Sequence, residues 1–211
     1  AAALGSEAQI TDNPLPDRVV KKGLAVEVRD LVRLPETRHL RPVEQDVTPT
    51  GWARVSFVRD APDGRRFAND SRGFLYIIDG DRSSLYADVA AAFPNAYYAR
   101  LESGFIGFDF HPEFERNGLW YSVHLEQGAG NPRTPDFIPP GYDSSDVTYH
   151  NVITEWKADD PRASTFKGSR RELLRVAHVV QFSSHPIGAV EFNPTARPGS
   201  PRLRPDLPSL E

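Results

Sequence analysis

Two residues of this chain have the chemistry of a polar catalytic or binding site. His185 lies in residues 182–188, directly before an apolar segment, and the imidazole of a histidine titrates near neutral pH, which suits a general base. Glu102 lies in a polar turn before Gly104, and its carboxylate can accept hydrogen bonds from hydroxyl groups. Structural roles are the alternatives: His185 would cap a strand turn, and Glu102 would be a solvated turn residue.

The other histidines and acidic residues do not form a metal-binding pattern. His111 and Glu113 are close in sequence, but no second histidine lies at a spacing that would complete a site. Aspartates in turns can bind Ca²⁺, yet the EF-hand spacing is missing and Asp-Gly turns need no metal. We interpret His124 and His150 as core or surface residues of strands. The sequence therefore predicts no metal site. The turn aspartates are Asp60, Asp63, Asp70, Asp79 and Asp81.

The composition excludes several classes of function. The chain has 211 residues, of which 39% are hydrophobic, and this is enough for a sizeable core. Its net charge of −4 gives no electrostatic reason to expect nucleic acid as a partner. No apolar run is long enough to span a bilayer. The absence of cysteine excludes disulfides and thiolate metal sites.

Short strands separated by turns predict an all-β fold. Four such strands with Asp/Gly turns between them match the size and rhythm of one β-propeller blade. A short helical turn at 88–93, capped by Asp88, follows them. A second set of four strands predicts a second blade, with a long Gly- and Pro-rich loop at 126–147 inside it. The predicted strands are 24–31, 53–58, 66–69, 74–78, 84–87, 105–110, 119–125, 148–156 and 172–180, and 188–192 would begin a third blade.

The segment 104–124 has the most specific pattern in the chain. His111-Pro112 ends a strand because proline has no N–H for the ladder, and Asn117-Gly118 favours a tight turn. The pattern Gly-aromatic-Ile-Gly-x-x-Phe-His-Pro-Glu-Phe-x-x-Asn-Gly-x-x-Tyr resembles a signature of the glucose/sorbosone dehydrogenases. These are six-bladed β-propellers whose best-known members are PQQ-dependent sugar dehydrogenases.

The resemblance implies a function and roles for the two polar residues. A complete relative oxidises a hydroxyl of a sugar or polyol by hydride transfer to PQQ, which Ca²⁺ holds. His185 then matches the base that takes the hydroxyl proton, and Glu102 matches the position of a glutamine that contacts the cofactor. Two departures matter. Active members often carry Asp where this chain has Ser184, and the charge of Glu102 beside the carboxylates of PQQ should weaken its binding.

The length predicts an incomplete ring. A blade needs about 40–50 residues, so we expect an all-β partial propeller with two blades and the start of a third. The expected organisation is an extended arm at 1–22, blades at 23–193 and a Pro-rich irregular tail at 194–211. We expect the N-terminal part of a longer, or frameshifted, product that is inactive alone. The missing blades or another chain would cover its open edge.

Two further expectations follow from the resemblance and from the loop. The relatives are usually exported, so we expect a periplasmic or secreted protein from which a signal peptide has been removed. The alternative function is a non-catalytic propeller module that binds carbohydrate or protein through the loop at 126–147, since a fold does not determine a function.

Overall fold

The computed structural model describes residues 29–41, 51–98, 102–179 and 185–193. The chain divides after Asp30, and every described strand lies in the unit Leu31–Glu211. The predicted arm at 1–22 and the predicted tail at 194–211 lie outside the described residues. So does most of the predicted strand at 24–31, and its described end, residues 29–31, has no strand structure.

The first predicted blade is a four-stranded antiparallel sheet in which each strand pairs with the next along the chain. Its turns at 61–65, 71–73 and 80–81 occur where the sequence places Asp, Gly and Pro. The predicted helical turn is a 3₁₀ turn at Ala90–Ala92, and Asp88 accepts a hydrogen bond of 3.0 Å from the N–H of Ala91. The strands are β1 (Val55–Asp60), β2 (Arg66–Asp70), β3 (Phe74–Asp79) and β4 (Arg82–Asp88).

The second predicted blade has the same sequential antiparallel order. The residues between its first two strands form one turn of α-helix, α1 (Phe114–Asn117), which ends at Gly118 with a φ of 69°. The loop before the third strand contains a 3₁₀ turn at Ser144–Asp146. The strands are β5 (Phe105–Phe110), β6 (Leu119–Gln127), β7 (Tyr149–Ala158) and β8 (Gly168–His178).

An aromatic core joins the two sheets. Phe67 and Tyr86 of the first sheet and Phe110, Trp120 and Trp156 of the second belong to one buried cluster. The two indole rings stack with their centroids 5.0 Å apart and an interplanar angle of 11°. Burial of large aromatic side chains supplies much of the hydrophobic stabilisation in a fold of this size. This cluster fixes the orientation of one blade against the other.

The described structure is all-β, with two four-stranded meanders of the propeller type, and agrees with the predicted fold class. The predicted strand at 188–192 is not formed. Residues 185–193 instead run along β5 without a β-ladder, and the Phe192 N–H donates to the Asp109 carboxylate at 3.1 Å. A strand needs a partner for its backbone groups, and this segment uses side-chain acceptors. No helix within the described residues is long and apolar enough to cross a bilayer.

Candidate functional site

The residues at the start of β5 pack closely against the turn between β2 and β3. The N–H of Phe105 donates to the carbonyl oxygen of Ser71 at 2.9 Å. Gly104 has a φ of 99°, and a Cβ atom at this position would lie 1.8 Å from the Ser71 oxygen. Only glycine fits such a backbone conformation and approach. The first glycine of the signature pattern therefore makes the junction between the two blades possible.

A cavity of about 260 Å³ opens at this junction and contains both predicted site residues. Serine residues line it from both blades: Ser56 lies on β1, Ser71 in the β2–β3 turn and Ser103 just before β5. Ser56 is exposed, whereas Ser71 and Ser103 are buried. Glu102 and His185 complete its polar lining. Among its described lining residues there is no Lys or Arg. The described lining therefore offers a ligand one carboxylate, one imidazole and the Ser56 hydroxyl, and no cation.

Glu102 and His185 are in direct contact. The Glu102 Oε2 atom accepts a hydrogen bond of 2.9 Å from the backbone N–H of His185 and lies 3.9 Å from its Nδ1 atom. The side chains are 54% and 86% exposed, so the ion pair by itself adds little to stability. The hydrogen bond is to the backbone of His185, and the distance to the ring is too long for a second one. Glu102 thus supplies the carboxylate beside His185 that the residue at 184 does not.

His185 also has an unusual backbone. Its φ of 59° is the only positive value at a residue other than glycine within the described chain. This conformation is uncommon for residues with a side chain and costs about 1–2 kcal/mol. Strain of this kind concentrates at functional sites because the surroundings must hold it in place. The bond from Glu102 to the His185 backbone is one such restraint.

A second polar cluster, which the sequence did not reveal, lies between β6, β7 and β8. The Arg175 side chain is 2% exposed. It donates to Glu126 at 2.8 Å, to Glu172 at 2.8 Å and to the Nδ1 atom of His150 at 2.7 Å. His124 contacts the other Glu126 oxygen at 3.2 Å. A β-bulge between Ile153 and Thr154 in the register with β8 brings Glu172 and Arg175 to the same face.

Burial and hydrogen bonding set the charges of this cluster. Burial raises the pKa of Glu126, but hydrogen bonds from His124, Arg175 and Asn131 outweigh it and hold that pKa well below its usual range. Burial lowers the pKa of His124. Burial and the nearby Arg175 lower the pKa of His150. The two imidazoles are therefore neutral and the glutamate is ionised at neutral pH.

The cluster has a structural role. A cavity of about 430 Å³ lies beside it, lined by Arg133, Arg170 and Arg175 among others. Each of these guanidinium groups donates a hydrogen bond within the protein. Arg133 donates to Glu172 at 3.3 Å and Arg170 to the Ala92 carbonyl at 2.6 Å, and Arg175 bonds within the cluster itself. Because these cations are already paired, the cavity offers no free charge to a ligand. The cluster instead attaches the loop between β6 and β7 to β8.

His111 and Glu113, which the sequence predicts to be structural turn residues, lie in a turn of the structure. The His111 Nδ1 atom accepts from the Glu113 N–H at 3.0 Å and lies 2.9 Å from the Asn117 amide nitrogen. Both residues therefore belong to the β5–β6 connection. Within the described ranges, no group of three or more His, Asp or Glu side chains could hold a metal ion.

Comparison with known proteins gives distant structural likeness only. No family model matches this chain, and no curated protein matches it. A solved structure from Thermus thermophilus, provisionally described as an oxidoreductase (glucose dehydrogenase), is 20% identical and matches with a TM-score of 0.45. The match covers 65% of this chain and 33% of that chain, so it spans about a third of that protein. A likeness at this level does not identify a function.

Proposed function

We propose that this chain is part of an oxidoreductase that acts on a sugar or polyol hydroxyl, with His185 as the base. The observation that carries the proposal is the contact of the Glu102 carboxylate with both the backbone and the ring of His185. A carboxylate on one ring nitrogen favours the tautomer with its proton there, which leaves the other nitrogen free to accept a proton. The cavity supports a sugar or polyol as the substrate because its described lining includes Glu102 and the exposed Ser56 and no Lys or Arg.

The reaction removes a proton and a hydride from one alcohol group. The Nε2 atom of His185 accepts the hydroxyl proton, the hydride of the same carbon passes to an external two-electron acceptor, and the carbon–oxygen bond becomes double. Glu102 holds the imidazole and stabilises the positive charge that forms on it. The hydroxyl of the exposed Ser56 orients a further hydroxyl group of the substrate.

PQQ with Ca²⁺ is the hydride acceptor that the sequence resemblance implies. The described lining of the cavity does not fit this group alone, because PQQ carries three carboxylates and the lining offers a carboxylate and no Lys or Arg. We therefore derive no step through it and propose that the acceptor site is completed outside the described residues. Missing blades or a second chain are the proposed partners, and the proposed location is the periplasm or the exterior.

Sugar binding and dye reduction test the proposal together. We expect D-glucose or another aldose to bind the purified chain, measured by calorimetry, and His185→Asn to leave its affinity within about threefold. With PQQ and Ca²⁺ added, dye reduction that depends on the aldose and is lost in His185→Asn supports the enzyme. Because the acceptor site is proposed to be completed outside the described residues, the absence of any aldose binding to the wild-type chain is the outcome that contradicts the proposal.

The second candidate is a module that binds carbohydrate or protein without catalysis. It is favoured by two exposed aromatic side chains on the β6–β7 loop, Phe137 at 51% and Tyr142 at 52%. The loop is held in place because the Asp136 side chain accepts from the Arg175 N–H at 2.7 Å. In this case Phe137→Ser and Tyr142→Ser abolish ligand binding, and substitutions at His185 do not.

A further inference from the structure

Residues 185–193, here called the strap, form one wall of the cavity that contains Glu102. His185, Pro186 and Gly188 of the strap line this cavity. Within the described chain the strap has no β-ladder, so regular backbone pairing does not fix its position. The position of His185 therefore depends on the individual side chains that hold the strap.

Asn151 holds the strap two residues after His185. It lies on β7 and is 4% exposed, and its Oδ1 atom accepts a hydrogen bond of 3.0 Å from the N–H of Ile187. The His185 N–H donates to Glu102 at 2.9 Å, so the backbone is bonded on both sides of Pro186. Because the proline ring restricts the backbone between these two bonds, together they limit where the imidazole can lie.

Gly107 allows the strap to come close to β5. A Cβ atom at this position would lie 2.9 Å from the carbonyl oxygen of Gly188 and 3.3 Å from the Cα atom of Ala189. The φ of Gly107 is not positive, so glycine is required here by the close approach of another backbone and not by its own conformation. A side chain at this position would push the strap away from β5.

The opposite wall of the cavity is held independently of the strap. Asn69 is fully buried. Its amide accepts from the Phe57 N–H of β1 at 2.8 Å and donates to the Phe105 carbonyl of β5 at 2.7 Å. These two strands carry Ser56 and Ile106, which line the cavity. A substitution that shifts the strap should therefore leave this wall in place.

We propose that Asn151 and Gly107 are positioning residues that hold the strap against β5 and so keep the imidazole of His185 beside Glu102. The inference rests on the proposed function for the role of His185 as the base. Neither Asn151 nor Gly107 is among the described lining residues, so both act through the strap. The effect matters because a displacement of about 1 Å can slow a reaction about a hundredfold.

Nuclear magnetic resonance and hydrogen exchange on the full 211-residue chain test this. Asn151→Leu removes the acceptor with little change of size, and Gly107→Ala adds the Cβ atom. In each variant we expect the His185 amide to exchange about tenfold faster than in wild type. The ¹⁵N shifts of its ring should move to those of Glu102→Gln. Asn151→Leu combined with Glu102→Gln should match Glu102→Gln alone, because both substitutions act on one contact.

Two matched controls separate positioning from loss of stability. In Gly118→Ala the added Cβ atom would lie 2.6 Å from the Ala158 carbonyl oxygen, which is a comparable clash away from the strap. Thr154→Val changes a buried side chain on β7 whose hydroxyl has no partner among the described residues. Neither control should change the ring shifts or the amide exchange of His185, even where the melting temperature falls. If Gly107→Ala does not fold, Asn151→Leu decides.

The outcomes also separate this inference from the proposed function. Ring shifts and amide exchange of His185 that stay as in wild type in both variants overturn the inference and leave the oxidoreductase proposal intact. A change in one variant alone overturns the role of the other residue. Changes in both variants of a chain that binds no aldose support the positioning role and count against the oxidoreductase.

Discussion

The carboxylate of Glu102 bonds the backbone N–H of His185 at 2.9 Å although 83 positions separate the two residues. The same oxygen lies 3.9 Å from the Nδ1 atom of the His185 ring. One side chain thus bonds the backbone and faces the ring of a histidine whose φ is 59°. A strained residue persists only where its surroundings determine its conformation, and here Glu102 is part of those surroundings.

Glu102→Gln tests whether the carboxylate selects the tautomer of His185. The amide oxygen of glutamine can still accept from the His185 N–H, but the negative charge facing Nδ1 is lost. At neutral pH we expect the ¹⁵N chemical shifts of the ring to show the proton mainly on Nδ1 in wild type and a mixture of tautomers in the variant. Any aldose-dependent dye reduction should fall about tenfold. Glu113→Gln, outside the cavity, is the control, and identical ring shifts in all three proteins would count against the role of Glu102.

Arg175→Met tests the buried cluster. The Arg175 side chain is 2% exposed and its partner Glu126 is 5% exposed, so the substitution leaves a buried carboxylate without its cation. We expect the free energy of unfolding to fall by about 3–5 kcal/mol, measured by urea denaturation at pH 7. The matched control is Arg171→Met on the same strand. Arg171 is 71% exposed and pairs with Glu155, and its loss should cost less than about 1 kcal/mol. Equal losses would contradict the structural role of the cluster.

The pKa values of His124 and His150 predict an acid-sensitive fold. Both lie below the ordinary histidine value of 6.5, chiefly because of burial. As the pH falls below about 6.5, the unfolded chain takes up protons at these positions and the folded protein does not. The free energy of unfolding therefore falls between pH 7 and pH 5, and the lowered pKa of Glu126 adds a further fall below pH 4.5.

His150→Gln should reduce the fall in the free energy of unfolding between pH 7 and pH 5. Glutamine can still accept a hydrogen bond from Arg175, and it does not titrate. We expect urea denaturation from pH 7 to pH 5 to show a shallower loss of stability in the variant than in wild type. Substitution of the exposed His39 by Gln serves as the control. A steeper or unchanged slope in His150→Gln would contradict the assignment of a neutral, buried imidazole.

Gly118→Ala tests the glycine of the signature pattern. Gly118 has a φ of 69°, and a Cβ atom there would lie 2.6 Å from the Ala158 carbonyl oxygen. Gly130 has a similar φ of 72°, but a Cβ atom would meet nothing within 4 Å. Gly130→Ala should therefore cost only the backbone strain, about 1 kcal/mol. Gly118→Ala should cost about 2 kcal/mol or more because of the added clash. Equal costs in thermal or urea unfolding would show that the contact with Ala158 has no effect.

The sequence predicted the bounds of a strand correctly where glycine or proline residues lie at both of its ends. Gly104 and the pair His111-Pro112 bracket β5, and its bounds are the predicted ones. The start of β8 was predicted at residue 172, but the strand begins at Gly168. Its first residues are polar and exposed and the bulge interrupts the alternation, so no apolar period marks them. The predicted strand at 188–192 failed because strand formation needs a neighbour that composition does not reveal.

By itself, the sequence determined the all-β class and the order of eight strands, and its resemblance to a known family predicted Glu102 and His185 as site residues. The class and the strand order follow from side-chain alternation and turn residues, which act over a few positions along the chain. Only the tertiary structure decided that Glu102 bonds the backbone of His185, that these two residues line one cavity, and that Arg175 lies buried between two glutamates. Each of these depends on contacts between residues far apart in the sequence or on the bulge in β8. The packing of the strands sets these distances, and no local sequence pattern identifies the partner of each residue.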